Sequence, residues 1–456
     1  MAIDESSWFA LERRADETLR AGLERTLRDA IHTGALREGV RLPSSRALAE
    51  RLGVSRGVVT DAYAQLEAQG FLVARVRAAP VVAAVSRRPS ARRTHEPAAP
   101  PPRYDLIPVT PDVTLFPLAR WARAAHQVAS RAPSAALDYG ESRGERVLRE
   151  ALADRLGRTR GVIAEPEQIV VVQGTAQGIE IVLRLLGARR VAVEDPSHTT
   201  QHERVREHGL ELVAQPVDAE GLVVDGLDAG AVLVTPAHQF PTGSVLSGRR
   251  RRALLAWART RGAVVVEDDY DAEFRYDREP VRALQGVAPE HVIQLGTVSK
   301  TLAPALRLGW VVVPEEKADD AERAKRLLDD FSPALDQLTL AEFLRRGEYD
   351  RHVRRARVVY RRRRDRLLAR LAEALPGLPV EGVAAGVHFV LRLPEGADDA
   401  AVSAKARAAG IRVPALSAYR IVPADDGGLV VGYGRLHEDA VDPAVRALAR
   451  VVRRHL

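Results

Sequence analysis

Six short apolar runs between residues 169 and 313 constrain the fold of this chain more than any other feature. They alternate with segments of helical periodicity, such as 179–186 and 250–259. This alternation is typical of an α/β domain, in which helices cover a mostly parallel sheet. Such sheets bind ligands at the carboxyl ends of their strands, so we expect functional residues directly after the apolar runs. The predicted strands are 169–172, 191–193, 231–234, 263–266, 292–295 and 310–313.

The length of 456 residues predicts more than one domain. Segment 83–104 is rich in Ala, Arg, Pro and Ser and has few apolar groups to bury, so we interpret it as a linker. We expect a small domain at 1–82 and a large domain at 105–456, whose C-terminal part forms a smaller α+β region. The arginine run 361–364 lies in a helical segment of that region and is interpreted as a solvated helix face rather than a nucleic-acid site.

The composition excludes several kinds of site. Cysteine is absent, so the chain has no disulfides, thiolate metal sites or cysteine nucleophiles. The 12 histidines show no metal-ligand spacing, and we predict no metal. No apolar run approaches the roughly 18 residues of a membrane span, and the N-terminus lacks the apolar core of a signal peptide, which predicts a cytoplasmic protein. The net charge of +7 permits a nucleic-acid partner without requiring one.

The segment 19–82 has the pattern of short helices, two of them joined by a tight turn. Ser44 follows Pro43 as a natural N-cap, Gly53 ends that helix, and Ser55 caps the next, which runs to Gly70. The pattern fits an αα-hairpin in a helical core. We favour the other arrangement that it fits, a helix-turn-helix, whose second helix enters the major groove of DNA.

Lys300 is one of four lysines in a chain that otherwise uses arginine for its cations. Arginine stays protonated, whereas a desolvated lysine becomes a neutral nucleophile that can form an imine with a carbonyl compound. Lys300 follows the predicted strand 292–295, where an α/β enzyme presents catalytic groups. The residue is either a surface lysine beside a turn or an imine-forming group.

An imine with a pyridine aldehyde phosphate would need donors for the phosphate, an anion for the ring nitrogen and a partner for the ring face. Segment 174–177 follows a predicted strand and opens a helix, so its backbone N–H groups would face an anion. The side chains of Thr297, Ser299 and Arg307 can add hydroxyls and a bidentate cation. Segment 267–270, Glu-Asp-Asp-Tyr, follows another strand and is either a solvated acidic loop or the source of that anion.

The N-terminal segment resembles the winged helix-turn-helix of the GntR superfamily. The matching motifs are Gly34-x-Leu36, Gly39-x-Arg41-Leu42-Pro43-Ser44-Ser45-Arg46-x-Leu48-Ala49, Leu52-Gly53-Val54-Ser55-Arg56 and Ala62-Tyr63-x-x-Leu66-x-x-x-Gly70-Phe71. The resemblance implies that double-stranded DNA is bound through Arg41, Ser44, Arg46, Ser55 and Arg56. Segment 76–80 departs from the family, which usually has a glycine-rich wing there. The minor-groove contact of that wing is therefore not carried over.

From about Asp105 onward the chain resembles fold-type I aminotransferases, and with its head it resembles MocR-type transcriptional regulators. The motifs are Asp138-Tyr139-Gly140-x-x-x-Gly144, Glu194-Asp195-Pro196, Thr235-Pro236-Ala237-His238-Gln239-Phe240-Pro241-Thr242-Gly243, the run Glu267 to Tyr276, and Gly296-Thr297-Val298-Ser299-Lys300-Thr301-Leu302-Ala303-Pro304-Ala305-Leu306-Arg307-Leu308-Gly309. The likeness implies that Lys300 holds pyridoxal phosphate as an internal aldimine, Asp268 pairs with the pyridine nitrogen and Tyr270 bonds the phenolic oxygen. It assigns the phosphate to Thr175, Ala176, Thr297, Ser299 and Arg307. It also implies a head-to-tail homodimer.

Two positions depart from the aminotransferase pattern. His198 stands where the family usually places a tyrosine that stacks on the cofactor ring; an imidazole can stack too, and it titrates near neutral pH. Val430 stands where amino-acid-binding relatives use an arginine for the ligand carboxylate, which a valine cannot bind. Arg435 lies close in sequence but would need a different geometry to replace that arginine.

These residues predict a transcriptional regulator that senses pyridoxal phosphate, with or without an amine, and passes the signal to DNA binding. The missing carboxylate clamp favours the cofactor itself as effector, which would suit control of vitamin B6 synthesis. An alternative is a catalytically active aminotransferase with an accessory DNA-binding head. A third interpretation is a DNA-binding protein whose large domain serves as a dimerisation scaffold.

Overall fold

The computed structural model describes residues 17–75, 78–84, 101–276 and 281–455. The chain divides into two compact units, Met1–Pro100 and Pro101–Leu456. Most of the predicted linker 83–104 falls on residues 85–100, which lie outside the described residues. Within the described ranges, no helix combines the length and apolar character needed to cross a membrane.

The first unit contains the predicted pair of short helices. Ser44 and Ser55 are their N-caps, because each side-chain oxygen accepts the backbone N–H three residues ahead, at 3.2 Å and 3.4 Å. Gly53 ends the first of the two in the left-handed conformation, with φ 63°. These caps confirm the predicted helix ends. The elements are α1 (Leu19–Thr33), α2 (Ser45–Leu52), α3 (Arg56–Ala68) and the antiparallel strands β1 (Leu72–Arg75) and β2 (Ala78–Val82).

Apolar side chains from all three helices form the core of this unit. Leu48 of α2 and both Val59 and Leu66 of α3 are fully buried. The hydroxyl of Tyr63 donates to the carbonyl oxygen of Pro43 at 3.0 Å and so ties α3 to the start of α2. The strands β1 and β2 follow α3 as a hairpin, whose connecting residues 76 and 77 lie outside the described residues.

The second unit is built around an eight-stranded mixed sheet, which confirms the predicted α/β class. The strand order is β4-β11-β10-β9-β8-β5-β6-β7. The strands are β4 (Ile169–Val172), β5 (Arg190–Asp195), β6 (Glu211–Asp218), β7 (Gly221–Leu222), β8 (Ala231–Val234), β9 (Val264–Asp269), β10 (Val292–Thr297) and β11 (Gly309–Val312). The short β3 (Tyr104–Asp105) lies outside this sheet.

The centre of the sheet is parallel, whereas β11 is antiparallel to both of its neighbours, β4 and β10. Both faces of the sheet are covered, as parallel sheets require. In β4, Val170 and Val172 pack into one core cluster, and Ile169 and Val171 pack into another. The predicted apolar runs are therefore strands buried on two sides.

Helices cover these faces. The helical segment predicted at 179–186 is part of α6, and the one at 250–259 is part of α8. The helices of this region are α4 (Leu118–Arg131), α5 (Arg146–Arg160), α6 (Thr175–Leu185), α7 (Thr199–Glu207), α8 (Gly248–Arg261), α9 (Ala318–Asp329) and α10 (Ala334–Arg345).

The C-terminal part of this unit has a separate apolar cluster that includes Phe274, Tyr360, Phe389 and Tyr433. The interpretation of 361–364 as a solvated helix face is wrong at Arg363. That side chain is buried and donates to the carbonyl oxygen of Gly434 and the carboxylate of Asp112. The elements are α11 (Glu348–Ala374), β12 (Val380–Glu381), β13 (His388–Arg392), α12 (Asp399–Ala408), β14 (Ile411–Arg412), β15 (Gly428–Gly432) and α13 (Val441–Arg453).

Candidate functional site

One pocket of the second unit brings together six of the nine predicted cofactor residues. It lies where β4, β5, β8, β9 and β10 end, as expected for an α/β sheet. The six are Thr175, Ala176, His198, Asp268, Tyr270 and Lys300. Thr297, Ser299 and Arg307 are not among its lining residues. The other lining residues are Val109, Ile179, Ser197, Thr200, Gln201, Arg204, Thr235 and Phe240.

Asp268 carries an unpaired oxygen in this pocket. Its Oδ2 atom accepts a hydrogen bond from Nε2 of Gln201 at 3.0 Å, whereas its Oδ1 atom is buried without a partner. Burial, with the nearby carboxylate of Asp269, raises the pKa of Asp268 to about 7. A cationic ring N–H at Oδ1 would satisfy the orphaned acceptor and favour the charged carboxylate. This unpaired acceptor therefore fits a protonated pyridine nitrogen, which would donate to it.

Lys300 lines the same pocket and is half-buried. Burial lowers the pKa of its amine, and the negative charges of Asp268 and Asp271 oppose that effect. A lowered pKa increases the neutral fraction of the amine, which is the form that attacks a carbonyl carbon. The side chain thus meets the chemical requirement for forming an imine.

The N-terminus of α6 lies at the pocket, which Thr175 and Ala176 line. Gly174, its N-cap, has φ 85° and supplies no side-chain cap, so the first N–H groups of the helix are available to a ligand. A Cβ at Gly174 would lie 2.9 Å from Nη1 of Arg307, so the guanidinium fits here because residue 174 is glycine. Arg307 also donates to the carbonyl oxygen of Gln173.

Thr297 and Ser299 form a hydrogen-bonded pair beside Lys300. The two hydroxyl oxygens are 2.9 Å apart, and the Ser299 N–H donates to the Thr297 hydroxyl at 3.1 Å. This pair shapes the turn between β10 and Lys300. In this structure the two hydroxyls bond each other.

Tyr270 follows β9 and directs its hydroxyl toward His238. The hydroxyl donates to the His238 carbonyl oxygen at 3.0 Å and lies 3.2 Å from His238 Nδ1. Burial raises the pKa of Tyr270 well above its ordinary value, so the phenol keeps its proton. Its single proton donates to the His238 carbonyl oxygen here, and the hydroxyl would have to turn away from that oxygen to donate into the pocket.

His198, predicted to face the cofactor ring, is the exposed N-cap of α7. Its Nδ1 atom accepts from the Thr200 backbone N–H at 3.4 Å and lies 2.9 Å from the Thr200 hydroxyl oxygen. These contacts place the proton of a neutral ring on Nε2. The imidazole also lies near Phe240, with ring centroids 5.6 Å apart.

Valines stand at two positions of interest. One lines the pocket, and the other occupies the position where amino-acid-binding relatives have a carboxylate-binding arginine. Val109 lines the pocket in the left-handed backbone region, with φ 55°, which is strained for a β-branched residue. Val430 is fully buried, in a cluster with Val390 and Leu416. Arg435 lies 3.2 Å from the Asp105 carboxylate and is not a lining residue.

Arg204 is the arginine among the lining residues of the pocket. Its Nη1 atom lies 3.8 Å from a carboxylate oxygen of Glu180. Sequence analysis missed it, together with Gln201 and Val109. Arg204 and Gln201 reach the pocket from α7, and their roles depend on how that helix is rotated. Val109 lies between Pro108 and Thr110, and nothing in that sequence indicates its positive φ or its place in the pocket.

The predicted DNA contacts of the first unit lie at the helix-turn-helix. Arg41, Arg46 and Arg56 are exposed, and Ser44 and Ser55 are the N-caps of α2 and α3. Nε of Arg56 donates to the Ser45 hydroxyl at 3.4 Å, across the turn that joins the helices. Three cations therefore surround the N-terminal ends of two helices, an arrangement that attracts phosphates.

Family models match both units. Residues 19–82 match the gntR family of bacterial regulatory proteins, and residues 110–447 match aminotransferase class I and II.

Curated relatives extend over nearly the whole chain. The HTH-type pyridoxine biosynthesis transcriptional regulator PdxR of Corynebacterium glutamicum is 33% identical, over 95% of this chain and 96% of its own length. The probable rhizopine catabolism regulatory protein MocR of Rhizobium meliloti is 31% identical, over 96% of this chain and 95% of its own. Among solved structures, the α-aminoadipate aminotransferase LysN of Thermus thermophilus, complexed with N-(5′-phosphopyridoxyl)-L-leucine, is similar with a TM-score of 0.70 and 25% identity, over 76% of this chain and 92% of its own.

Proposed function

This chain belongs to the MocR/PdxR type of HTH transcriptional regulators, which join a GntR-family head to a class I and II aminotransferase domain, and we propose that it senses pyridoxal phosphate through Lys300. Bound there, the cofactor would supply an aldehyde carbon for the lysine and an electron-withdrawing ring. The observation that carries the proposal is the unpaired, buried Oδ1 atom of Asp268 in the same pocket as Lys300. We propose that His198 faces the cofactor ring. The phosphate is proposed to be held by Thr175, Ala176, Thr297, Ser299 and Arg307.

The cofactor itself is the effector in this proposal. A ligand with a carboxylate needs a cation, and the apolar cluster around Val430 provides none. Arg435 is engaged by Asp105. Since one relative is a regulator of pyridoxine biosynthesis, we infer that this protein controls vitamin B6 synthesis in the cytoplasm.

DNA binding is assigned to the first unit. Arg41, Ser44, Arg46, Ser55 and Arg56 are proposed to contact operator DNA. The aminotransferase-like domain is proposed to form a head-to-tail homodimer, which gives two heads for two half-sites. The cofactor changes DNA affinity if it binds more tightly to the dimer with one arrangement of the two DNA-binding units than to the dimer with another arrangement.

A catalytically active aminotransferase is the second candidate. It is favoured by the presence of Lys300, Asp268 and Tyr270 in one pocket and by the similarity to solved aminotransferases. Arg204 is the lining residue that could receive a ligand carboxylate in that case. Titration with amino acids separates the candidates, because a transaminase converts the bound cofactor to its amine form and loses its visible absorbance.

The test measures cofactor absorbance and DNA binding in the same samples. Wild type and Lys405→Ala, which removes an exposed lysine, are expected to develop visible absorbance with pyridoxal phosphate and to change their affinity for operator DNA. Lys300→Ala is expected to lose both responses and still bind DNA. If wild type binds the cofactor without any change in DNA affinity, the large domain is a scaffold and the sensor proposal is wrong.

A further inference from the structure

Three buried polar side chains form a cluster next to Tyr270, whose hydroxyl oxygen lies 3.2 Å from a ring nitrogen of one of them. They are His238, Asp271 and His388, and each is about 1% exposed. His388 begins β13 in the C-terminal part of the unit, whereas the other two belong to the large sheet region. None of the three lines the pocket. The assigned cofactor contacts therefore leave this cluster without a role.

His238 is held on one side by Asp271. The distance from His238 Nδ1 to Asp271 Oδ2 is 2.8 Å, and from the same Nδ1 to the Tyr270 hydroxyl oxygen it is 3.2 Å. The Nε2 atom of His238 is buried without a partner. A proton on Nδ1 is consistent with both distances, and it leaves Nε2 as a bare acceptor rather than an unsatisfied donor.

The absence of a side chain at Gly386 leaves room for the His238 imidazole. Gly386 has φ 64°, and a Cβ there would lie 2.1 Å from Cε1 of His238 and 2.5 Å from Oδ2 of Asp271. Any side chain at 386 would collide with the hydrogen-bonded pair. The carbonyl oxygen of the same glycine accepts from the Tyr433 hydroxyl at 2.8 Å, which fixes the loop.

The alternative for such a cluster is a divalent cation, because its ligand atoms lie within 4.8 Å of one another. A zinc ion needs about four ligands at roughly 2.0–2.2 Å. Asp271 already bonds His238 Nδ1, which leaves the free ring nitrogens of His238 and His388. Two imidazoles are too few for such a site, so the hydrogen-bond interpretation is the stronger one.

We propose that His238, held by Asp271, is a positioning residue for Tyr270. Its Nδ1–H group is directed at Asp271 and at the tyrosine oxygen, which leaves the tyrosine proton free to move from the His238 carbonyl oxygen to the phenolic oxygen of bound pyridoxal phosphate. Hydrogen bonds in such a chain polarise one another, so the tyrosine becomes a better donor. The inference rests on the proposed function to the extent that the cofactor must bind in this pocket.

Several charged groups lie near the hydrogen-bonded side chains of Tyr270, His238 and Asp271. Asp271, Asp268 and Glu194 place negative charge near the Tyr270 phenol, and Lys300 lies in the same pocket as Tyr270. Burial lowers the pKa of His388 well below its ordinary value, so the ring beside His238 stays neutral. A change of pH profile in a His238 variant must therefore be compared with a variant that lacks the Tyr270 hydroxyl.

The experiment compares His238→Leu, which removes the donor, with His238→Asn, whose amide N–H stands close to the position of Nδ1. In the full-length protein, the leucine variant is expected to bind pyridoxal phosphate about tenfold more weakly, the usual effect of one lost hydrogen bond. The pH midpoint of its visible absorbance is expected to rise by about one unit. The asparagine variant is expected to restore both values toward wild type.

A double-mutant cycle separates positioning from simple packing. In a Tyr270→Phe background, His238→Leu should cause no further shift of the pH midpoint. A leucine variant that folds and titrates as wild type does would overturn the inference and leave the proposed function intact. The inference would also be overturned if the purified protein contained one equivalent of zinc and the His388→Leu variant contained none. If wild type itself binds no cofactor, the proposed function fails first.

Discussion

Gln201 donates a hydrogen bond to one carboxylate oxygen of Asp268 and leaves the other oxygen buried and unpaired. The two residues are far apart in sequence, on α7 and β9, and meet at the floor of the pocket. One bonded oxygen holds the carboxyl group in place, while the unbonded one destabilises the protein until a donor arrives. Without a ligand, the protein thus has an unsatisfied acceptor at the atom that we propose binds the ring nitrogen.

Asp268→Asn is expected to stabilise the cofactor-free protein at pH 8. The pKa of Asp268 is raised to about 7, so the folded state favours the neutral carboxyl, and its stability falls as pH rises from about 4 through 7. The full shift corresponds to roughly 4 kcal/mol. Because the pocket leaves Asp268 partly exposed, we expect about 2 kcal/mol by urea unfolding, and little difference at pH 4.

The matched control is Asp425→Asn, in an exposed loop, which should leave stability nearly unchanged at both pH values. Burial raises the pKa of Glu194 to about 7 as well, and the charge of Asp268 contributes to that rise, so Asp268→Asn should also lower the pKa of Glu194. Cofactor affinity should fall in Asp268→Asn. A variant that is less stable than wild type at pH 8 would contradict the assignment of Oδ1 as an unpaired acceptor.

At Val109, glycine should be tolerated better than alanine. The left-handed conformation of Val109 costs about 1–2 kcal/mol for any residue with a Cβ. Val109→Gly loses side-chain contacts but relieves that strain, whereas Val109→Ala loses contacts and keeps it. Urea unfolding should therefore rank glycine above alanine by about 1 kcal/mol. At Val422, an exposed valine whose φ is not positive, alanine should rank above glycine. Glycine ranking above alanine at both sites would argue against strain at Val109.

Strands and helix caps could be predicted because their signals are local. The apolar run 292–295 is a strand because its residues are buried on both faces, and that requirement is visible in four consecutive residues. Ser44 and Ser55 cap helices through backbone atoms three residues away. The likeness to known motifs singled out Lys300, Asp268 and Tyr270, and the structure brings these three residues into one pocket.

Contacts between distant segments could not be predicted in this way. The Gln201 contact with Asp268 depends on the rotation of α7, and the His238 contact with Asp271 depends on a gap left by Gly386. The burial of Arg363 was missed because its partners, Asp112 and Gly434, come from segments distant in sequence. No periodicity within a single helix carries that information.

Lys325→Met is expected to weaken both stability and cofactor binding. Lys325 is fully buried, with Nζ 2.5 Å from Oδ1 of Asp329, whose Oδ2 accepts from Gln173 at 2.8 Å. Removing the lysine leaves a partly buried carboxylate without its cation, which costs about 3 kcal/mol. Since Gln173 precedes Gly174 and its carbonyl oxygen accepts from Arg307, the turn that we propose binds the phosphate should loosen as well.

The corresponding double variant provides the control. Lys325→Met combined with Asp329→Asn removes both charges, so unfolding experiments should show less destabilisation than the sum of the single changes, by about 1–2 kcal/mol. Additive effects would mean that the pair contributes through packing alone.

Arg46→Ala is expected to weaken operator binding and to change its salt dependence. Arg46 is exposed on α2, beside the N-cap that opens this helix. If it binds a phosphate, the slope of log K against log salt should become less steep by about 0.9, because one fewer counterion is released. If it reads a base instead, affinity should fall for the operator but not for random DNA, and the slope should stay the same.

Arg20→Ala, on α1 and paired with Glu24, is the matched control and should change neither quantity. Fluorescence anisotropy from low to moderate salt gives both slope and affinity, and an unchanged titration for Arg46→Ala would remove this residue from the DNA interface.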